Sequence, residues 1–244
     1  MSDKRVPSPA RPATGPAERR SQTNEIDAFV RHARALAPGG SGSGRLILSL
    51  DATMSRQPTW DVASHIQAQM FDAAGDKSGL AVQLVYFRGY EECRASKFVT
   101  DTATLKGLMT RITCRAGHTQ IGKVLAHALK ENERGKVSAL VYIGDAMEES
   151  ADDLADKAGD LGVRGVPVFV FQEGHDKRAE QTFREIARLS RGAWFRFDRS
   201  AAATLARLLS AVAVYATGGL KALEARGGSE ERLLIQHLKG GAAG

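Results

Sequence analysis

Short apolar runs alternate with amphipathic stretches along most of the chain. A run of four to eight apolar residues bounded by glycine or polar residues predicts a strand that is buried on both faces. We expect such strands at residues 45–50, 80–87, 137–143, 166–171 and 193–197, and a short edge strand at residues 93–98. In the stretches between these strands, apolar residues recur three and four positions apart, which predicts helices. These helices are expected at residues 59–74, 101–109, 121–132, 152–161, 177–190 and 198–217.

Strands that alternate with helices of about a dozen residues predict an α/β fold. Because crossovers between parallel strands are right-handed, we expect a doubly wound, mostly parallel, Rossmann-like sheet flanked by helices on both faces.

The pattern also divides the chain into four regions. Residues 1–21 are rich in Pro, Ser, Ala and Arg and predict a disordered tail, because they bury too little apolar surface to offset their ordering entropy. Residues 22–44 predict a helix followed by a Gly/Ser linker, and residues 45–217 form the α/β domain. Residues 218–244 predict a helical extension and a Gly/Ala tail.

Composition narrows the class of protein only slightly. With 43% hydrophobic and 25% charged residues, the 244-residue chain has the composition of a globular protein. No apolar run approaches the ~20 residues that span a bilayer, and no apolar signal segment is seen, so we expect no membrane association. The two cysteines, Cys93 and Cys114, are predicted to be free thiols in a cytoplasmic protein. The net charge is +6, but no run of basic residues interleaved with aromatic residues occurs. Nucleic-acid binding is therefore only weakly supported.

Oxygen-bearing side chains follow the predicted strands at three places. Asp51, Thr53 and Ser55 come directly after the first strand, Thr119 precedes the 121–132 helix, and Asp145 follows the 137–143 strand. Open α/β sheets bind ligands outside the carboxyl ends of their strands, so these groups are expected to converge. Two carboxylates and three hydroxyls suit Mg²⁺ or Mn²⁺, which prefer oxygen ligands.

At these residues the sequence resembles a known family. The D-x-T-x-S of residues 51–55, the G-H-T of residues 117–119 and the I-G-D of residues 143–145 resemble the metal-ion-dependent adhesion site (MIDAS) of von Willebrand factor A (VWA) domains. The resemblance spans about residues 45–217. It implies that the metal is held by Asp51, Thr53, Ser55, Thr119 and Asp145. Thr53 replaces the usual serine and Met54 replaces a small residue, so the site is more crowded than usual.

The resemblance implies a non-catalytic protein-binding module. An acidic residue of a partner protein would complete the coordination of the metal, and bacterial-type relatives suggest a setting beside AAA+ ATPases. Met54, His118 and Glu148 are the candidates for contact with the bound partner. Glu148 and Glu149 follow Asp145 and are candidates for catalytic acids, but their position favours solvated residues of a first helical turn.

Two other functions remain open. A Mg²⁺- or Mn²⁺-dependent hydrolase, such as a phosphoesterase, would use a metal-bound water, although no nucleophile–base pair is apparent. An RNA-binding protein would use the basic surface, and its affinity would fall steeply with salt.

Overall fold

The sheet of this protein is mixed, mostly parallel and six-stranded. The computed structural model describes residues 44–56, 79–197 and 202–240. Its strands are β1 (Arg45–Asp51), β2 (Ala81–Arg88), β3 (Glu92–Val99), β4 (Ala139–Gly144), β5 (Val168–Glu173) and β6 (Ala193–Phe197). They lie in the order β3-β2-β1-β4-β5-β6, and only β3 runs antiparallel to its neighbour. The predicted α/β fold class is confirmed.

Helices flank this sheet in the order that the sequence pattern predicts. Among the described residues they are α1 (Thr102–Met109), α2 (Ile121–Arg134), α3 (Ala151–Val163), α4 (Lys177–Leu189), α5 (Ala202–Arg226) and α6 (Ser229–Gly240). The side chain of Asp101 caps α1, as its position predicts. The predicted tail at 1–21, the predicted helix and linker at 22–44 except for Gly44, and the predicted helix at 59–74 lie outside the described residues.

Alternate residues of each central strand face two separate hydrophobic layers. Leu46, Leu48 and Leu50 point into one layer with α1, α5 and α6, and Ile47 points into the other with α2, α3 and α4. These four side chains are almost completely buried. Burying each one contributes about 1.5–3 kcal/mol, which explains why the strands appear in the sequence as uninterrupted apolar runs.

The C-terminal residues pack on the first of these layers. Helix α5 continues past residue 217 to Arg226 with a break at Gly219, where φ is +64°. Gly227, at φ +65°, ends this segment before α6 begins, so the predicted helical stretch 220–238 consists of two pieces. Leu223 and Leu234 are fully buried in the core cluster. This region is therefore packed against the sheet.

One helix of the described part of the chain is long and apolar enough to cross a membrane by length and composition. It covers Ala206–Arg226 in α5. Leu209, Val212 and Ala213 on this helix are fully buried against the sheet. Packing in the core of the domain therefore accounts for part of its apolar character.

Candidate metal site

The site begins where β1 ends, between the two parallel strands that flank β1. β2 pairs with one edge of β1 and β4 with the other, so β1 lies at the switch point where open α/β sheets form ligand crevices. Asp51, the last residue of β1, is completely buried. Its Oδ1 accepts a hydrogen bond of 2.8 Å from the Thr53 backbone N–H. This bond turns the chain sharply out of the strand.

A short 3-10 turn then presents the two hydroxyls of the first motif. It covers Met54–Arg56 and brings the Thr53 Oγ1 to 3.1 Å from the Ser55 Oγ. Thr53 is buried and Ser55 is exposed. Two hydroxyl oxygens this close together face one small volume, as two ligands of one ion must.

Backbone hydrogen bonds hold the second loop, which contains Thr119, beside the first. The Arg115 N–H donates to the Ala52 carbonyl at 3.0 Å, and the His118 N–H donates to the Gly89 carbonyl at 3.1 Å. Gly117 lies so close to Gly89 that a Cβ at position 117 would stand 2.0 Å from the Gly89 carbonyl oxygen. Only glycine fits this approach. The result is that Thr119, which is buried, is held beside the first motif.

An ion-pair network supports the chain that enters this loop. Arg88 donates to both carboxylate oxygens of Glu92 and to the Thr113 carbonyl at 2.8 Å. Arg94 and Arg115 also pair with Glu92. Hydrogen bonding from the Arg88 guanidinium lowers the pKa of Glu92 to about 2. The carboxylate therefore stays charged and keeps the β2–β3 turn and residues 113–115 together.

The third loop supplies Asp145, whose Oδ1 atom is buried. Within the described residues no hydrogen-bond partner reaches this atom. A buried carboxylate oxygen without a partner is costly, unless a cation or water compensates it. Within this site, Asp145 is therefore the strongest indication of a bound cation.

Hydrogen bonds from the residues after Asp145 join the third loop to the second. The Glu148 N–H donates to the Thr119 Oγ1 at 3.1 Å, and the Glu148 Oε2 accepts from the Thr119 N–H at 3.0 Å. His118 Nδ1 also lies 3.0 Å from that oxygen. The Thr119 hydroxyl retains a second lone pair, because a hydroxyl oxygen has two. Glu148 therefore fixes the orientation in which Thr119 presents this lone pair.

Glu149 has a role that sequence reasoning missed. Its carboxylate accepts hydrogen bonds from the backbone N–H groups of Ile121 at 2.5 Å and Gly122 at 2.9 Å, and it thus caps α2. The prediction of a solvated first-turn residue is wrong for this side chain. No local pattern could reveal the contact, because the capping residue follows the helix start by 28 positions.

These loops surround an open cavity of about 300 Å³. It is lined by Thr53, Met54, Ser55, Ala116, Gly117, Thr119, Ala146 and Glu148. Met54 on its rim is 53% exposed, and the His118 ring meets the ring of Tyr90 edge to face at 5.1 Å. Of the three candidate contact residues, Met54 and Glu148 thus line the cavity, and His118 contacts Glu148.

The donors of this site fit a hard divalent cation. Among the described residues, no three His, Cys, Asp or Glu side chains form a metal-binding cluster. The candidate donors are instead three hydroxyls and two carboxylates. Such an all-oxygen set suits Mg²⁺ or Mn²⁺. The hydroxyls of Thr53, Ser55 and Thr119 line the cavity, and Asp51 and Asp145 follow the two adjacent strands β1 and β4.

Comparison with solved structures identifies the fold. The chain is similar to a von Willebrand factor type A protein from Catenulispora acidiphila, at 18% identity and a TM-score of 0.61 over 72% of this chain and 43% of that one. It is also similar to the SpRpn10 VWA domain, at 13% identity and a TM-score of 0.54 over 70% of this chain and 94% of that domain. The fold is that of VWA domains, as the resemblance predicts.

A third similar structure contains an occupied metal site. It is proximal thread matrix protein 1 from the mussel byssus with a zinc-occupied MIDAS motif, at 17% identity and a TM-score of 0.53 over 72% of this chain and 46% of that one. The chain thus spans less than half of two of these three structures. No family model matches the sequence, and no curated protein matches it.

Proposed function

We propose that this protein is a non-catalytic, divalent-metal-dependent binding module that captures an acidic residue of a partner protein. Mg²⁺ or Mn²⁺ would be held by Asp51, Thr53, Ser55, Thr119 and Asp145. The observation that carries the proposal is the buried Asp145 Oδ1, which has no hydrogen-bond partner in the described structure, beside a cavity lined by three hydroxyls. The zinc-occupied MIDAS of the similar mussel protein supports a metal at this place in the fold.

Access to the site favours an external ligand over a purely structural ion. The cavity opens between the exposed side chains of Met54, Ser55 and Glu148. Five protein oxygens leave room in an octahedral shell, and a carboxylate is a preferred ligand of Mg²⁺. A partner's Asp or Glu would therefore bind through the metal, so affinity needs both the ion and the carboxylate.

Three features bear on the chemistry and the cellular setting of this module. The Glu148 and Glu149 carboxylates are engaged by backbone N–H groups, and this favours binding over hydrolysis. Cys93 and Cys114 are not joined by a disulfide, which favours the cytoplasm. Association with an AAA+ ATPase rests on the family resemblance alone and stays a prediction.

Affinity capture with controlled metal tests this function. The 244-residue protein is immobilised and exposed to a cell extract in Mg²⁺, in EDTA, and in EDTA followed by Mn²⁺. We expect a partner that binds with metal, is lost with EDTA, and returns with Mn²⁺. Substituting its acidic residues one at a time should identify one Asp or Glu that is essential.

Two variants serve as the matched pair. Asp51→Asn keeps the oxygen that accepts from Thr53 but removes the charge, and it should abolish capture. Asp152→Asn removes an exposed carboxylate from the first turn of α3 and should leave capture unchanged. Capture that survives EDTA, or that Asp51→Asn leaves intact, contradicts the proposal. Metal-dependent phosphoester hydrolysis or salt-sensitive RNA binding would instead support the alternatives.

A further inference from the structure

A second cleft lies at the β6 edge of the described sheet, away from the candidate metal site. It has a volume of about 500 Å³ and runs along the start of β6 between α4 and α6. β6 is the last strand of the sheet and pairs only with β5 among the described residues. Because β6 is parallel to β1, its first residues lie at the end of the sheet opposite the carboxyl ends that carry the metal site.

The walls of this edge cleft carry positive charge. Arg184 and Arg188 line it from α4, and none of the described lining residues is a carboxylate. The segment from Lys177 to Arg196 contains six cationic side chains and two carboxylates. It therefore concentrates much of the net charge of +6 of the whole chain.

The ion pairs of the two arginines use only some of their guanidinium donors. Arg184 pairs with Glu180 at 3.0 Å, and Arg188 pairs with Glu185 at 2.6 Å, each on the same helix and with an exposed guanidinium. Arg188 donates to both carboxylate oxygens of Glu185, at 2.9 and 2.6 Å, so this pair is the stronger of the two. A guanidinium has five donors, however. Both arginines therefore retain donors for a carboxylate in the cleft.

An aromatic and an aliphatic side chain complete the cleft. The Arg184 guanidinium lies 3.7 Å from the centre of the Trp194 ring, and the Trp194 indole N–H donates to Gln172 at 3.1 Å. These contacts fix the orientation of the tryptophan. Leu233 on α6 is 40% exposed and faces the same cleft. The surface thus combines apolar contacts with a cationic wall.

We propose that the edge cleft binds an extended acidic segment of a partner protein, which adds to β6 as a further strand. An edge strand presents alternating N–H and C=O groups that match a polypeptide backbone, and this is the usual basis of strand addition. Arg184 and Arg188 bind carboxylates of the segment, while Leu233 and Trp194 contact its apolar side chains. A nucleic acid would satisfy the charge but not the backbone of β6.

Fluorescence anisotropy with a defined peptide tests the proposal. The probe is a fluorescein-labelled peptide of about ten alternating Glu and Val residues, a length typical of a strand. EDTA is present throughout, so that the metal site is empty and binding there does not contribute. Failure in this experiment therefore leaves the metal-dependent function untouched, and failure of that function does not affect this result.

Variants on two walls of the cleft define the expected outcome. We expect the Arg184→Gln/Arg188→Gln protein to bind the peptide about tenfold more weakly, which corresponds to about 1.4 kcal/mol. Leu233→Glu, which adds a carboxylate from α6 at an exposed position, should weaken binding by a similar factor. The control Arg111→Gln/Arg164→Gln removes the same charge at exposed positions after α1 and α3 and should bind like wild type.

Two further probes separate strand addition from simple charge attraction. A peptide of the same charge in which prolines replace the valines cannot pair with a strand edge and should not bind. A single-stranded RNA of equal charge should compete poorly. Equal binding of the proline peptide, equal losses in the control variant, preferential RNA binding or no peptide binding would each overturn the proposal.

Discussion

Thr53 decides how closely the first motif can approach a metal ion. Its hydroxyl lies 3.1 Å from that of Ser55, and the residue is held by the turn that Asp51 closes. The extra methyl restricts χ1, so the hydroxyl is preorganised when the methyl packs away from the ion. The chemistry of the site therefore depends on the hydroxyl at this position, whereas the methyl has a secondary effect.

Substitutions at Thr53 separate these two contributions. Thr53→Val keeps the shape but removes the hydroxyl, and it should lower Mn²⁺ affinity by at least about tenfold. Thr53→Ser keeps the hydroxyl and should bind Mn²⁺ within a few-fold of wild type. Isothermal titration of Mn²⁺ into each protein measures the difference. Equal affinities for the valine and serine variants would remove Thr53 from the metal shell.

Ser49, two residues before Asp51, illustrates a different cost. Its side chain is completely buried in β1, and within the described structure no partner reaches its Oγ. An unsatisfied buried hydroxyl destabilises a fold by about 1–3 kcal/mol. We expect Ser49→Ala to leave the free energy of unfolding unchanged or to raise it by about 1 kcal/mol in urea titrations. A clear loss of stability would show that the hydroxyl has a favourable interaction.

The loops of the site owe their positions to contacts between elements distant in sequence. Glu148 joins Thr119 to the β4 loop, Glu149 caps α2, and Gly117 packs on the β2–β3 turn. Hydrophobic periodicity and local caps predict the strands and most of the described helices, since those patterns are local, but they miss the breaks at Gly219 and Gly227. The contacts between loops could not be predicted, because each depends on how the sheet brings distant residues together.

Gly117→Ala tests whether the second loop depends on its close approach to Gly89. The new methyl would overlap the Gly89 carbonyl, so the loop must move and Thr119 with it. We expect a loss of about 1–3 kcal/mol in the free energy of unfolding and weaker Mn²⁺ binding. Gly107→Ala is the matched control, because nothing lies near its added methyl in α1 and alanine favours a helix. Comparable damage from both substitutions would contradict this role for Gly117.

His127 on α2 should make stability depend on pH. Burial lowers its pKa below the ordinary value of 6.5, and its Nε2 lies 2.8 Å from the Gln83 Oε1. A lowered pKa in the folded state means that its full contribution is present above pH 6.5 and is lost as the pH falls through the folded pKa. The loss is limited to about 1.4 kcal/mol per pH unit.

Urea unfolding at pH 7.5 and pH 5.5 measures this effect. We expect His127→Gln, which keeps a donor for Gln83, to lose part of the pH dependence seen in wild type. Desolvation also lowers the pKa of His237, so some dependence should remain. His175→Gln at an exposed position serves as the control. An unchanged pH dependence in His127→Gln would rule out this residue as a contributor.

At the scale of the whole molecule, two surfaces lie at opposite ends of one sheet. The candidate metal site lies at the carboxyl ends of β1 and β4, and the edge cleft lies at the start of β6. The three motifs could predict the first surface, because each is adjacent to a strand or helix with a clear pattern. The second could not be predicted, since α4, β6 and α6 form it only after packing.

Calorimetric titration of Mg²⁺ and Mn²⁺ into the metal-free protein tests the central claim most directly. We predict one binding site per chain in wild type, no binding to Asp51→Asn, and wild-type binding to Asp152→Asn. Because a ligand that binds only the folded state stabilises it, metal at about 100 times its Kd should add about 2.7 kcal/mol to the stability of wild type. No binding by wild type, or equal binding by Asp51→Asn, would contradict the account.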